Sequence, residues 1–389
     1  MKRIRFGVIG LGNIGVLHVA GLARKDNKYS CLGAVCDVVA DKAGNLGRQY
    51  GVPHFTDAQA MYDSGAIDAV IVAMPHYFHP VLTIRAARAG LHVMCEKPLA
   101  VTIGAARAMV AECRKHKVAM GAMLLYRCLN LYKKMKQMVD AGKVGEVYRL
   151  SMTCSFWYRT QSYYNSADWR GTWDGEGGGV LLNQAPHSLD LFQWIGGMPR
   201  RVIATVGTRW HKIEVENHAN VICDYGSGKT GYIYASSADS PGSDQFAVYG
   251  DKGVLIGESG KLRFGKIAQP LRKHIISSKD GFTAPASTWE DVPLQAETPD
   301  RHVLVNEAFA RHILKGTPMI ASGAEGLNQL EISNAAYLSG HEGRPVDLPV
   351  DAKQMENLLA RLERKHSRGR GGGMRAQAAK EFRALMAKG

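Results

Sequence analysis

The sequence has no long, uninterrupted hydrophobic run. Its first apolar stretch, residues 6–19, is broken by Gly7, Gly10, Gly12, Asn13 and Gly15. Such a segment suits a strand followed by a turn, and it is too interrupted for a signal peptide or a membrane-spanning helix. We therefore expect a cytoplasmic protein without membrane contact.

The chain also lacks paired cysteine spacing. It has seven cysteines, an odd number, and none is arranged as CxxC or CxxH. This pattern argues against a disulfide framework and against a zinc site, so we expect reduced core thiols and no metal ligands.

Positive charge is in excess, but it is unevenly distributed along the chain. The formal net charge is +14, and the last 29 residues, from Arg361 onward, carry nine Lys or Arg against two Glu. The stretch from Ser367 to Gly373 is rich in Gly and Arg and lacks apolar periodicity. We interpret 351–389 as a helix followed by a flexible basic extension. A nucleic-acid partner is the alternative explanation of this charge, and we do not expect one.

The chain of 389 residues is too long for one ordinary core, which predicts two domains. In residues 1–125, short apolar runs alternate with helical patterns, as in a parallel sheet covered on both faces. The predicted strands are 4–9, 31–36, 69–74, 92–95 and 118–123, and the predicted helices are 15–23, 40–50, 58–64, 80–89 and 102–116. This is an α/β domain of the Rossmann type.

In residues 126–350, short strand patterns follow one another at hairpin spacing, which predicts an α+β domain with a large, open, mostly antiparallel sheet. Strands are predicted at 147–157, 202–209, 219–225, 231–237, 245–249 and 254–258. Helices are predicted at 131–141, 302–314 and 323–339, and the last two of these can brace either domain.

A glycine-rich turn follows the first strand. Gly10, Gly12 and Gly15 form GxGxxG and open a helix, so backbone amides can face a pyrophosphate. We assign Asn13 and Ile14 to the same site. Asp37 follows the second strand, where a carboxylate accepts the ribose hydroxyls of NAD(H) and repels the 2′-phosphate of NADP(H). The predicted cofactor is therefore NAD(H).

Two further segments carry chemistry: Glu96-Lys97-Pro98 after a predicted strand, and the run from Gly177 to Asp190 that contains Asn183 and His187. With them, the chain resembles the Gfo/Idh/MocA family, named for glucose-fructose oxidoreductase and inositol dehydrogenase. The resemblance covers residues 3 to about 350. It is also carried by Met74-Pro75-His76 with His79, Tyr126-Arg127, Trp169-Arg170 and the turn 250–253.

The resemblance implies hydride transfer between a substrate carbinol carbon and the nicotinamide, with Lys97 touching the reacting hydroxyl and Pro98 in the cis form. It implies that Glu96 contacts the nicotinamide ribose. Further cofactor contacts are implied for Met74, Pro75, His76, His79, Lys97, Trp169 and Arg170. Family members also form dimers or tetramers through the open sheet, so we expect a homo-oligomer.

A hydroxyl that loses hydride must also lose its proton, so a base has to lie within hydrogen-bond reach. Lys97 and His187 are the two candidates. Because the family pattern has an acid where Asn183 stands, we give proton transfer to His187, let Lys97 polarise the oxygen, and treat Asn183 as a positioning group. Pro186 predicts a kink or a helix start beside them.

Residues 157–174 combine aromatic and hydrogen-bonding side chains, which is typical of a sugar-binding surface. The substrate is therefore predicted to be a sugar or glycoside. The predicted contacts are Lys97, Tyr126, Arg127, Tyr158, Tyr163, Trp169, Trp173, Asn183 and His187. By resemblance to glycoside-acting members, the oxidised position is C3 of a pyranose.

Two other functions remain open at this point. Transient C3 oxidation followed by elimination, hydration and re-reduction would make the protein a redox-neutral glycosidase with tightly held NAD. The sequence offers no clear carboxylate pair for ordinary glycoside hydrolysis. The further base near C2 is unassigned among His187, Tyr126, Tyr158 and Tyr163. A non-catalytic NAD sensor is the third possibility.

Overall fold

A computed structural model describes residues 2–366 and 373–387. The first part of the chain forms a six-stranded, all-parallel sheet in the order β3-β2-β1-β4-β5-β6. Its strands are β1 (Ile4–Ile9), β2 (Ser30–Cys36), β3 (His54–Phe55), β4 (Ala69–Val72), β5 (His92–Cys95) and β6 (Met120–Ala122). The helices between them are α1 (Asn13–Leu22), α2 (Ala40–Tyr50), α3 (Ala58–Asp63), α4 (His79–Arg88) and α5 (Ile103–Lys115).

The direction of winding reverses between β1 and β4, and every residue of β4 is fully buried. In such sheets, ligands bind at the carboxyl ends of the strands beside this reversal. The predicted Rossmann domain is confirmed, with the two-residue β3 as an additional strand. The loops after β1, β4 and β5 therefore face one cleft.

The second sheet has nine strands in the order β14-β13-β12-β11-β7-β10-β9-β8-β15. They are β7 (Val147–Cys154), β8 (Arg201–Gly207), β9 (His218–Asp224), β10 (Thr230–Ser236), β11 (Asp244–Gly250), β12 (Gly253–Glu258), β13 (Lys261–Ile267), β14 (Ser287–Asp291) and β15 (Val346–Asp347). Only the β7 and β10 pair is parallel within this sheet. The mostly antiparallel prediction is confirmed, and β13, β14 and β15 are additions to it.

The helices of this part of the chain are α6 (Asn130–Asp140), α7 (Gln161–Tyr164), α8 (Pro186–Gly196), α9 (Leu271–Ser277), α10 (Arg301–Lys315) and α11 (Gly323–Glu342). Of these, α6, α8 and α11 pack on strands of the large sheet. The helix α10 packs on α1 and β1, while α11 packs on β8, α8 and also α5. Ser322 and Glu325 form a reciprocal cap at the start of α11. Both helices therefore tie the chain back to the Rossmann domain.

The carboxyl-terminal residues correct one expectation. After α12 (Ala352–His366), residues Met374–Met386 form a helix, α13, that packs against α4 and the turn 76–78. Arg85 pairs with Glu381 at 3.1 Å, and the Arg375 amide donates to the Asp174 carbonyl oxygen at 3.2 Å. This part of the basic extension is thus a docked helix, because Ala378 and its neighbours bury an apolar stripe. Of the Gly/Arg stretch, 367–372 lies outside the described residues.

All seven cysteines are free thiols, and six of them are buried, as the sequence predicts. In the described part of the chain, no helix has the length and apolar character needed to cross a bilayer.

Candidate active site

The glycine turn after β1 leaves an open approach to the start of α1. Gly10 has φ +88°, and a Cβ on Gly15 would lie 1.8 Å from the Gly10 carbonyl oxygen, so neither position accepts a larger residue. A Cβ on Gly12 would meet nothing within 4 Å. Asn13 and Ile14 form the exposed first turn of α1. Backbone amides here can therefore face an anionic ligand.

Asp37 is held rigidly at the end of β2. Its carboxylate accepts hydrogen bonds from the backbone amides of Leu11, at 2.8 Å, and Val39, at 2.9 Å. The side chain thus links the glycine turn to the next loop, with a remaining edge at the cleft where ribose hydroxyls would bind.

The loop after β4 brings its two histidines into the interior. The ring nitrogens of His79 lie 2.7 Å from the Met74 carbonyl oxygen and 2.8 Å from that of Pro98, so the ring braces two cofactor-facing loops. His76 contacts the Glu176 carbonyl oxygen at 2.9 Å and packs edge-on against Trp169. Burial lowers the pKa of His76 to about 3, so this ring is neutral. Met74 and Pro75 are half-buried beside the glycine turn.

Glu96 is fixed by a residue that the sequence analysis missed. His18, fully buried on α1, lies 2.8 Å from the Glu96 carboxylate, and the Lys97 amide donates to its other oxygen at 3.1 Å. Burial alone would raise the pKa of Glu96, but His18 and nearby cations hold it at about 2. His302 is the third member of this cluster. The direct bond between His18 and Glu96 thus fixes the carboxylate within this cluster.

Lys97 points into the cleft between the two domains. The peptide bond before Pro98 is cis. The Lys97 ammonium donates to the Asn183 carbonyl oxygen at 2.7 Å and lies 3.4 Å from its side-chain oxygen. Burial lowers the pKa of Lys97, and this effect outweighs the nearby carboxylates Glu96 and Glu176. A buried amine with a depressed pKa is suited to accepting a proton.

His187 lies in the first turn of α8, which begins at Pro186 directly after a π-helical turn at 180–184. The expected helix start at Pro186 is therefore confirmed. The His187 ring stacks on Tyr126, with centroids 4.6 Å apart, and its Nδ1 has no partner. Burial, followed by the charge of Lys97, lowers the pKa of His187 to about 3. The ring is thus a neutral imidazole with an unused polar atom.

Tyr163 is the centre of the cleft wall formed by residues 157–187. Its ring lies between the guanidinium groups of Arg159 and Arg170, at 4.7 and 4.5 Å. Its hydroxyl accepts hydrogen bonds from Arg170, at 2.6 Å, and Asn183, at 3.3 Å. Tyr158 is half-exposed next to Arg159, and Trp169 stacks beneath Arg170. The aromatic segment therefore does converge with Lys97.

Two residues predicted to contact substrate have structural roles instead. Arg127 is 3 % exposed, and its guanidinium pairs with Asp190 at 2.8 Å and with Glu325 at 2.6 Å. Trp173 is 1 % exposed, with its indole N–H on the Glu214 carbonyl oxygen and its ring against Tyr337. Both side chains are fully used by the core, which leaves nothing for a ligand.

Buried polar atoms without partners concentrate around this cleft. Eleven such atoms occur among the described residues, and five of them belong to the wall at 157–187. They are Trp157 Nε1, Arg159 Nε, Arg170 Nε, Gln184 Oε1 and His187 Nδ1. A buried polar group without a partner is costly, so a clustered set marks a place where water or a polar ligand supplies the missing hydrogen bonds.

A parallel nucleotide-binding sheet, an acid at the second strand and a lysine in the interdomain cleft define a dinucleotide-dependent oxidoreductase. Residues 4–123 match the model of the oxidoreductase family with an NAD-binding Rossmann fold, and residues 132–256 match the GFO/IDH/MocA C-terminal domain. The chain belongs to the Gfo/Idh/MocA family, and its cofactor is NAD(H).

Individual relatives agree with this family. Myo-inositol 2-dehydrogenase of Thermotoga maritima is 26 % identical over 352 residues, which cover 89 % of this chain and 98 % of that protein. The 2,7-anhydro-N-acetylneuraminate hydratase of Mediterraneibacter gnavus is 28 % identical over 215 residues, 55 % of each chain. The WlbA dehydrogenase of Bordetella pertussis, solved with NADH and UDP-GlcNAcA, is 26 % identical with a TM-score of 0.75, covering 90 % of this chain and 100 % of that one.

Proposed function

We propose that this protein oxidises a secondary hydroxyl of a sugar or glycoside, at C3 of a pyranose, and transfers the hydride to NAD⁺. The observation that carries the proposal is the group of buried polar atoms without a protein partner in the segment 157–187, whose Asn183 contacts Lys97. A ligand with hydroxyls on several sides can satisfy such atoms, whereas a ligand with one polar group cannot. The relatives named for inositol and for an amino-sugar nucleotide support a polyhydroxylated substrate.

NAD(H), bound at the glycine turn and Asp37, supplies the hydride acceptor. Lys97 then takes the proton of the reacting hydroxyl. This replaces the expected role of His187, because burial and then the charge of Lys97 lower the pKa of that ring to about 3 and make it a weak base. His187 therefore stays neutral and uses Nδ1 to orient the substrate, with Tyr126 stacked behind it.

The redox-neutral glycosidase is the second candidate, and Tyr163 favours it. The Tyr163 oxygen accepts hydrogen bonds from Arg170 and Asn183, so its own proton is directed elsewhere in the cleft. As a phenolate, with these N–H donors on its oxygen, Tyr163 would accept the proton at C2 once C3 has been oxidised, and elimination would then release the C1 substituent. The carboxylates of Glu96 and Glu176 are both engaged by protein donors, which leaves neither for ordinary glycoside hydrolysis.

The test follows nitrophenol and NADH together, with nitrophenyl glycosides of both anomeric forms and with or without added NAD⁺. Accumulation of NADH with an intact glycoside supports the dehydrogenase. Nitrophenol release at catalytic NAD⁺ without net NADH supports the glycosidase. If neither signal appears with these glycosides, nor NADH with free sugars and inositols, the proposed substrate class is wrong and the NAD-sensor interpretation takes its place.

We also propose that the open face of the large sheet joins copies of this chain. Ile203, Ile222 and Tyr232 lie side by side across β8, β9 and β10, and each is 39–48 % exposed. An apolar row of this kind is typical of a subunit interface. Ile222→Lys should lower the molar mass measured by light scattering, and an unchanged mass would count against this interface.

A further inference from the structure

Glu176 is a buried carboxylate that the mechanism above does not use. It lies between the Trp169–Trp173 turn and the glycine run, and it is 1 % exposed. One carboxylate oxygen accepts from the Gly171 amide at 2.6 Å, and the other accepts from the Asn183 side-chain amide. Its own carbonyl oxygen contacts His76 at 2.9 Å. Glu176 thus links His76 of the loop after β4, the turn that contains Gly171, and Asn183, the partner of Lys97.

The Asn183 side chain has its orientation set by this contact. Its Nδ2 faces the Glu176 carboxylate, and its Oδ1 consequently faces the Lys97 ammonium at 3.4 Å. The reversed orientation would set an N–H against the ammonium and an oxygen against the carboxylate, and both contacts would repel. Along Glu176–Asn183–Lys97, the Asn183 amide N–H therefore donates to the carboxylate, and the Lys97 ammonium donates to the amide oxygen, so each donor meets an acceptor.

We infer that Glu176 is a positioning residue for Lys97, supplying from behind Asn183 the negative charge that holds the ammonium in place. The inference rests on the proposed role of Lys97 in proton transfer. It deepens that role, because the carboxylate decides at which pH the amine becomes a free base. Asn183 transmits the effect through its amide dipole.

Several charged groups act on this pair. Facing Lys97 are Glu96 and Glu176, which raise its pKa, and Arg159 and Arg170, which lower it together with burial. The pKa of Glu176 is raised, because burial outweighs the opposing hydrogen bonds from Gly171 and Asn183 and the charges of Arg170 and Lys97. Both oxygens of Glu176 accept hydrogen bonds from N–H donors, which is the pattern of an ionised carboxylate.

The test replaces the charge while keeping the size, with Glu176→Gln. A neutral amide no longer stabilises the ammonium, so Lys97 should lose its proton at a pH lower by about one unit. Short pulses of an amine-acetylating reagent across a pH series, read out at Lys97 by mass spectrometry, measure this titration without any sugar. The acid limb of the pH–rate profile should move in the same direction.

Glu216→Gln is the matched control. Glu216 is equally buried and also accepts from backbone amides, those of Gly179 and Leu181, but it stabilises the glycine run rather than Lys97. We expect no shift of the Lys97 titration in this variant. Equal shifts in both variants, or none in Glu176→Gln, would overturn the inference.

A double variant, Glu176→Gln with Asn183→Asp, covers the case in which the single variant does not fold. The glutamine can donate to the new aspartate, and the charge now stands directly beside Lys97. Lys97 should then lose its proton at the same pH as in the original protein, or at a higher one. A double variant that titrates lower than the original protein contradicts the inference. A Lys97 shift without sugar oxidation by any variant would reject the proposed function alone.

Discussion

The two walls of the cleft differ in how completely their polar atoms are paired. On the nucleotide wall, Asp37, Glu96 and His79 each have protein partners on both of their polar atoms. On the substrate wall, five buried polar atoms have none. The polar groups of the first wall are therefore paired within the protein, while we expect water or a ligand to pair those of the second.

This difference separates two ways of using binding energy. Side chains that are already held in place lose little conformational entropy when a ligand binds, so the contacts with the ligand translate directly into affinity. A wall with unpaired groups is destabilised until hydroxyls of matching geometry fill it, and it discriminates against ligands that lack them. We therefore expect the nucleotide wall to favour tight binding of the cofactor. We expect the substrate wall to favour discrimination between substrates by their hydroxyl groups.

The largest expected effect is the loss of proton transfer in Lys97→Met. Turnover should fall by about 10³-fold, since general base catalysis contributes 10²–10⁴-fold, while NADH affinity measured by fluorescence titration stays within a factor of a few. Lys229→Met is the control, because Lys229 also donates to a backbone carbonyl oxygen, that of Gly196, but lies outside the cleft. Retained turnover in Lys97→Met would show that another group takes the proton.

The next effect separates two glycines of one turn. Gly12→Ala should leave the melting temperature unchanged, because its Cβ meets open space, yet obstruct the pyrophosphate. A clash of about 2–3 kcal/mol raises the Kd for NADH about 30- to 150-fold. Gly15→Ala should instead lower the melting temperature, because its Cβ overlaps the Gly10 carbonyl oxygen. Unimpaired NADH binding by Gly12→Ala would show that the dinucleotide does not approach there.

A smaller effect concerns the choice of cofactor. Asp37→Ala removes charge-assisted hydrogen bonds to the ribose and the repulsion of a 2′-phosphate, so the ratio of kcat/KM for NAD⁺ over NADP⁺ should fall by about tenfold or more. The variant also loses the hydrogen bonds from the Leu11 and Val39 amides. Any decrease in kcat/KM that this causes affects both cofactors equally and cancels in the ratio. Asp41→Ala, a change on the exposed face of α2, should leave the ratio as it is.

The smallest effect compares one histidine from each wall. His187→Phe keeps the stacking on Tyr126 and removes an unpartnered Nδ1, so the free energy of unfolding should rise by about 1 kcal/mol while kcat/KM falls several-fold. His79→Phe should lower the free energy of unfolding by about 1 kcal/mol, because the neutral ring donates its one N–H to one of the two carbonyl oxygens beside it. Denaturant unfolding measures both. Destabilisation by His187→Phe would mean that the ring is already satisfied in the free protein.

The same contrast explains what the sequence could predict. The nucleotide wall depends on GxGxxG, on Asp37 and on short apolar strands, all of which are local patterns. The predicted bounds of β1, β5 and α2 agree with the structure residue for residue. Local patterns were sufficient there because each functional group sits at the end of its own strand.

The substrate wall depends on contacts distant in sequence. Arg127 and Trp173 lie in the expected motifs, but their partners Glu325 and Tyr337 come from α11, so nothing local indicated that both would be core residues. The missed pairing of His18 with Glu96 spans 78 residues. A histidine three residues after the last glycine of the turn was the available signal. The docking of α13 depends on a single apolar stripe in a highly charged segment.

The position of α13 has a consequence for the order in which the protein is made. Chains fold as they emerge from the ribosome, amino end first. The nucleotide turn, at residues 10–15, therefore emerges long before residues 374–386, which brace Asp174. A product of premature termination would retain the dinucleotide turn yet lack this brace, and such a fragment would occupy cofactor without an intact partner wall.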